Sequence, residues 1–355
     1  MSSLKYIGLD VHLATISIAV LNASGKLIME VTIENQATAL LDFLRGLRGA
    51  LHVALEEGTY AEWLYSLLAP RVARIVVCDP RQNPRRRGEK KSDRLDARKL
   101  AEWLRLGTLK PVYHGRPQGH ALRELARSYR TLVSDATRVM NRLKALYRGR
   151  GIPCAGARVY APRFRPQWLE QLREAGVRQR AELLYQQLDL LLALRRQARG
   201  AMLAESRRYA AQKILCSIPS LGPVRAALLM ALLGTPHRFR GKRQLWTYAG
   251  LALVTRSSAD YRLANGELVR SRQPALVLGL NANHNHELKA LFKDAAASAL
   301  AHPGPLREFY STRVDQGMKP ELARLTLARK IAAIALTLWK KGERFNAEHL
   351  KPQAA

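Results

Sequence analysis

The chain of 355 residues is short of several things. It has three cysteines, Cys78, Cys154 and Cys216, odd in number and far apart. That spacing matches no zinc motif and no disulfide framework, and it points to a reducing compartment. Acids are scarce: 28 Asp plus Glu stand against 59 Lys plus Arg, a net charge of +31. No apolar run reaches the length of a bilayer span. The opening "MSSLKYIGLDVH" lacks the apolar core of a signal peptide, so the expected location is the cytosol. No internal repeat is visible.

What is present follows from the charge. An excess of this size needs a polyanion, or the chain repels itself. A membrane surface would supply one, but the bases run along the whole chain rather than in one stripe, which suits a nucleic acid. The 47% hydrophobic content supports real cores, and the length allows two domains and a smaller third element.

Residues 5–33 read as a three-strand meander, "YIGLD", "TISIAVL" and "KLIMEVTI", with the turn "NASG" before the last strand. "ATALLDFLRGLR" has helical spacing, "LHVALE" and "ARIVVCD" are short buried strands, and "AEWLYSLLAP" is a helix between them. "DRLDARKLAEWLRLG" is a helix stopped by Gly107. The order implies an α/β layer with mixed strand directions. A long helix follows over 121–148, with leucines on one face and Arg127, Arg138 and Arg142 elsewhere on it. The Gly/Pro/Arg-rich stretch after it reads as a linker, and 167–212 returns to helix. There Leu184, Leu188, Leu191, Leu194, Ala198 and Met202 form a seam for another helix, within the chain or across a dimer. "ILCSIPSLGPVRAALLMALLG" is helix, tight turn, helix; it suits either a helix-hairpin-helix, with Gly222 and Arg225 at a phosphate, or an ordinary αα corner.

Four acids stand at element ends. Asp10 closes the first strand, Glu56 closes the fourth, and Asp93 and Asp96 open a later helix one turn apart. Taken singly, each is most simply a helix cap or an ion-pair partner. Converging at one sheet edge, they would form a hard-oxygen site for two Mg²⁺, the arrangement that stabilises attacking and leaving oxygens in phosphoryl transfer. Glu57 is the rival of Glu56; alternation along "HVALEE" puts the two on opposite faces. Beside the acidic helix, "RQNPRRRGEKK" concentrates Arg85, Arg86, Arg87, Lys90 and Lys91, with Arg94 just after it. It suits a nucleic-acid backbone, or is a solvated basic loop.

"YIGLDVH", "LEEGTY" and "KSDRLDARKLAEW" resemble the D-E-D-D motifs of the RuvC-like domain in the insertion-sequence one-ten family of transposases, also called bridge-RNA-guided recombinases. The similarity runs over nearly the whole chain. It implies an RNase H-like (RuvC-like) mixed sheet with helices over 1–150, a helical coiled-coil segment over 151–212, and a mainly helical C-terminal domain with a helix-hairpin-helix over 213–355. By this match Asp10, Glu56, Asp93 and Asp96 are the metal ligands. The family's C-terminal domain also carries a serine that is the recombination nucleophile. Aligning from Gly250–Leu251 places Ser258 on it, next to Arg256, with Leu253 where the family has Pro and Ala259 where it has Gly; Ser257 stays open. The resemblance further implies donor and target DNA, a structured guide RNA, a dimer or tetramer, and a bacterial cytosol. Two rivals remain: a structure-selective nuclease like the Holliday-junction resolvases, and a non-catalytic nucleic-acid-binding protein on a degenerate nuclease fold. In "NANHNHELKALF", His284 and His286 have no ligand partners at useful spacing, so a capped helix start or a nucleic-acid contact is preferred to zinc.

Overall fold

In a computed structural model the described residues are 4–81, 92–114, 119–256, 261–264, 267–270 and 276–350. They divide into two compact units, cut between residues 117 and 118.

The first unit is a five-stranded mixed sheet with helices on both faces. β1 (Leu4–Val11), β2 (Thr15–Asn22) and β3 (Leu27–Glu34) form the antiparallel meander, and β4 (Ala50–Glu56) and β5 (Arg74–Cys78) extend it. The strand order is β3-β2-β1-β4-β5, with β4 parallel to β1 and β5 parallel to β4. This arrangement is consistent with an RNase H-like domain. The three parallel strands therefore end at one edge.

Alternation sorts the two faces. Ile7, Leu9, Val53, Leu55 and Val77 pack with Leu40 and Leu44 of α1 (Ala37–Arg45) and Leu64 and Leu68 of α2 (Ala61–Leu68). Ala54, Val76 and Cys78 face the other way, against Leu100 and Leu104 of α3 (Asp93–Leu106). Gly8 belongs to that second face and permits an unusually close approach. A Cβ there would lie 2.0 Å from the Ala97 carbonyl oxygen and 2.6 Å from the Ala101 nitrogen. Gly107, left-handed at φ 69°, ends α3 as the sequence predicts.

The second unit is mainly helical. α4 (His120–Arg148) and α6 (Ala175–Ser206), with the short α5 (Arg165–Glu170) between them, pair antiparallel. Ala136, Val139, Leu143 and Tyr147 of α4 meet Val177, Ala181, Tyr185 and Leu188 of α6, while Leu122 and Ala126 share a core with Met202. The leucine seam thus packs within the chain through Leu184, Leu188 and Leu191, whereas Leu194 stays exposed. The stretch expected as a linker puts Cys154 and Val159 into the same core, because its apolar residues find the groove beside Tyr147.

α7 (Ala210–Cys216), α8 (Pro223–Leu233), α9 (Lys242–Tyr248), α10 (His286–Leu300), α11 (Pro305–Asp315) and α12 (Pro320–Lys341) build the last core. Beside them lie two small antiparallel ribbons, β6 (Leu253–Arg256) with β9 (Leu276–Leu280), and β7 (Tyr261–Ala264) with β8 (Glu267–Arg270). Trp246 packs on this core and donates its indole N–H to the Arg329 carbonyl at 2.9 Å. Among the described residues no helix is long and apolar enough to cross a membrane.

Candidate metal centre

The parallel edge and the start of α3 bring the four acids together. Asp10 shares the α3 face of β1 with Gly8, two residues earlier. Leu9 pairs with Leu55, so Glu56 is the next residue along the neighbouring strand and, two after Ala54, points to the same face. Ser92 caps α3, its Oγ accepting from the Leu95 N–H at 3.3 Å, and Asp93 and Asp96 form the first turn. The close seat of Ala97 on Gly8 brings this turn to Asp10.

Burial first, then the like charges of Asp93, Asp96 and Glu56, push the Asp10 carboxyl from 3.8 up to about 6, against the opposing pull of His12. Asp10 is 18% exposed, Asp93 56% and Asp96 40%. Lys99 Nζ lies 3.7 Å from Asp96 Oδ1.

Glu57 turns away. It hydrogen-bonds with His114 Nε2 at 2.7 Å, and Glu62 of α2 holds the Nδ1 side at 3.0 Å. It therefore serves the α2 side of the sheet, while Glu56 acts on Asp10.

His12 is the residue that reading the sequence for acids passed over. Its Nε2 stands 3.5 Å from Asp10 Oδ2 and 3.2 Å from Asp93 Oδ1. Among the described residues, Asp10, His12 and Asp93 form the one group of three donors lying within 4.8 Å of one another. The signal was available: in "LDVH" the imidazole follows Asp10 by two and shares its face.

The basic residues are spread through both units. Arg94 is exposed on the first turn of α3. On α4, Arg127 pairs with Glu124 at 3.2 Å, Arg138 with Asp135 at 3.0 Å, and Arg142 is exposed. Gly222 is the residue before α8, and Arg225 donates to the Ser220 carbonyl at 2.9 Å across the α7–α8 turn. Arg256 is the last residue of β6. Arg85, Arg86, Arg87, Lys90, Lys91, Ser257 and Ser258 lie outside the described residues. His284 and His286 precede and open α10, where Asn285 caps the helix by accepting from the Glu287 and Leu288 N–H groups.

Residues 7–149 match a family model of the DEDD, IS110 type described as a transposase, and residues 212–311 match one described as the transposase IS116/IS110/IS902 family. The chain belongs to this family of transposases. It is 30% identical over 118 residues to an uncharacterized 44.8 kDa protein of insertion element IS116 from Streptomyces clavuligerus, covering 33% of this chain and 26% of that one. It is also 30% identical over 148 residues to the transposase for insertion sequence element IS1533 from Leptospira borgpetersenii, covering 39% and 42%. The alignments thus span less than half the length of either relative.

A DEDD transposase domain implies a divalent metal ion. The residues here fit one. Burial first, and then the like charges of Asp93, Asp96 and Glu56, raise the Asp10 carboxyl to about 6, and a divalent cation relieves the repulsion among these oxygen donors. Asp10, Asp93, Asp96 and Glu56 would hold it. When bound it would polarise a phosphate oxygen.

Proposed function

We propose that this transposase of an insertion sequence cuts and rejoins DNA through a covalent phosphoserine ester, with two Mg²⁺ held by Asp10, Glu56, Asp93 and Asp96. The observation that carries the reading is the placement of Asp10, Glu56 and the first turn of α3, with Asp93 and Asp96, on one face at the parallel edge of the sheet, where burial and then the like charges raise the Asp10 carboxyl. An ion-pair partner lowers a carboxylate, whereas burial and neighbouring like charges raise it.

In this reading residues 1–150 hold the metal, the helical coiled-coil segment over 151–212 helps join protomers into a dimer or tetramer, and 213–355 present Ser258. The hydroxyl of Ser258 attacks a backbone phosphorus. The hydroxyl gives up its proton as an Oγ–P bond forms, a P–O bond to one deoxyribose breaks, and the departing strand oxygen takes up a proton. A serine hydroxyl is a weak nucleophile at neutral pH, so it needs a polarised phosphate. The ester keeps the energy of the phosphodiester, and another strand's hydroxyl reseals it without ATP. Water in the serine's place would give an irreversible nick.

The net charge of +31 supports a long polyanionic partner, which we assign to donor and target DNA with a structured guide RNA. Arg85, Arg86, Arg87, Lys90, Lys91 and Arg94 would grip it near the acids, Arg127, Arg138 and Arg142 along α4, and Arg256 beside the serine. The α7–α8 pair is read as a helix-hairpin-helix, with Gly222 and Arg225 at a phosphate. The setting is the bacterial cytosol.

The test incubates the protein with Mg²⁺, element RNA and end-labelled DNA, and maps any protein–DNA adduct by mass spectrometry. An adduct on Ser258 supports the assignment, and one on Ser257 moves it by a residue. Full-rate nicking by Ser258→Ala with no adduct makes the protein a hydrolytic nuclease instead. Absence of Mg²⁺-dependent cleavage in the wild type would leave a nucleic-acid-binding protein.

A further inference from the structure

The metal reading leaves His12 unused, although its ring stands nearer to two of the proposed ligands than any lysine or arginine described. We propose that His12 Nε2 is itself a ligand of the divalent-metal site and makes it select Mn²⁺ over Mg²⁺. The inference rests on the metal assignment above and concerns which ion that site prefers.

Three observations support it. Neighbouring ligands of one octahedral ion, each about 2.1 Å from it, lie about 3 Å from one another. Nε2 is 3.2 Å from Asp93 Oδ1 and 3.5 Å from Asp10 Oδ2, so the three atoms already have nearly that spacing. The ring is also carried on a fixed turn. The His12 N–H donates to the Thr15 carbonyl at 2.9 Å, Asn35 Nδ2 donates to the His12 carbonyl at 2.8 Å, and the Asn35 N–H donates to the Ala14 carbonyl at 2.9 Å. Finally, Asp10, His12 and Asp93 each offer one ligand atom within 4.8 Å of the other two, as donors around a single ion do.

The chemistry sets the preference. Mg²⁺ demands oxygen ligands and keeps its waters. Mn²⁺ accepts carboxylates and also binds imidazole, and it stands at the weak end of the transition-metal series, where ligand type decides selectivity. One nitrogen donor among oxygens therefore favours Mn²⁺.

The alternative is that His12 is only a placeholder, an imidazolium that leaves when a metal arrives. The two make opposite predictions for His12→Ala. A ligand's removal weakens Mn²⁺ binding; a placeholder's removal leaves it equal or tighter.

The full chain is titrated with Mn²⁺ and with Mg²⁺ by calorimetry, without nucleic acid, and the Mn²⁺ form is examined by pulsed electron paramagnetic resonance. The wild type should bind Mn²⁺ more tightly and show one directly bound ¹⁴N. His12→Ala should lose the ¹⁴N coupling and about tenfold or more in Mn²⁺ affinity, with a smaller change for Mg²⁺. A wild type without the coupling, or His12→Ala that binds Mn²⁺ as well as before, overturns the proposal. Asp10→Asn separates the failures. If it abolishes Mn²⁺ binding while His12→Ala does not, the metal site stands and only the nitrogen ligand falls. If neither the wild type nor any variant binds Mn²⁺ or Mg²⁺, both fall together.

Discussion

In the first unit, carboxylates are gathered against one another; in the second, arginines are held apart along helices. The contrast is sharpest on α3 itself. Arg98 grips Glu30 through two hydrogen bonds of 2.5 and 2.8 Å, and Arg105 grips Glu102 at 2.8 and 2.6 Å. Both carboxylates are held below their usual range, chiefly by those hydrogen bonds. Asp10, on the same side of the sheet, is raised, and among the described residues the group pulling it down is an imidazole. Guanidiniums thus lie within reach of α3, yet among the described residues none pairs with Asp10. On α4 Arg130 pairs with Glu287 of α10, while Arg127 and Arg138 pair with acids three residues back and stay 69% and 67% exposed. Such pairs are worth well under about 1 kcal/mol and separate readily for another anion. A costly concentration of charge marks the place for chemistry, and a loose spread of charge marks a surface for holding.

Removing the concentration should have the largest effect. Asp10→Ala and Asp96→Ala are each expected to lower Mg²⁺-dependent DNA cleavage by more than about a hundredfold, since even outer partners of metal ligands cost tenfold to a hundredfold. A gel assay with end-labelled DNA reads this directly. Cleavage by Asp10→Ala at the wild-type rate would remove the distinction between the two units. Gly8→Val breaks the same site from beneath. The new side chain meets backbone at Ala97 and Ala101, so α3 must shift. The expected loss is about 1–3 kcal/mol or more by thermal unfolding, together with weaker metal binding. Full stability and full metal affinity in Gly8→Val would mean that the α3 seat does not position Asp93 and Asp96.

The cost of the gathered carboxylates can also be measured. A carboxyl raised from 3.8 to about 6 binds more protons folded than unfolded between those pH values. By linkage, metal-free stability therefore falls as pH rises through that window and is flat above it. The full penalty is about 3 kcal/mol at most, at about 1.4 kcal/mol per pH unit. Asp10→Asn should then unfold at a higher temperature than the wild type at pH 7 without divalent metal, and show little gain near pH 4. Added Mn²⁺ or Mg²⁺ should reverse the order at pH 7. An Asn variant no more stable at pH 7 would show that Asp10 is not under strain.

The two units also differed in how far sequence could be followed. In the first, strand alternation and the helix start put Asp10, Glu56, Asp93 and Asp96 at one edge, because period-two patterns and N-terminal turns are local properties. The same alternation separated Glu56 from Glu57, and the His114 contact accounts for the second glutamate. His12 escaped because its spacing of two from Asp10 puts it on the acid's face but does not show what it meets there; that lies in the distant Asp93. In the second unit, the seam on α6 was visible, but its partner was not. Leu188 fits α4 through Tyr147 and Leu143, a tertiary match that heptad spacing leaves open. Cys154 and Val159 were hidden by a Gly/Pro/Arg composition that describes most of their neighbours and not the two residues that pack.

The smallest expected effect belongs to the dispersed charge, and it asks whether α4 faces a nucleic acid or only water. Each phosphate neutralised on duplex DNA adds about 0.9 to the slope of log affinity against log salt. Arg142 is exposed on α4. If it meets a phosphate, Arg142→Ala should lower that slope by about 1, weaken binding at low salt on every sequence alike, and converge with the wild type at high salt. Arg127→Ala should do the same less strongly, because Glu124 already competes for the guanidinium at 3.2 Å. Fluorescence anisotropy over a salt series measures both. Unchanged slopes in the two variants would make this face of α4 a solvated one. The holding surface would then have to lie among the bases near the acids, which would join in one unit the two roles that the comparison keeps apart.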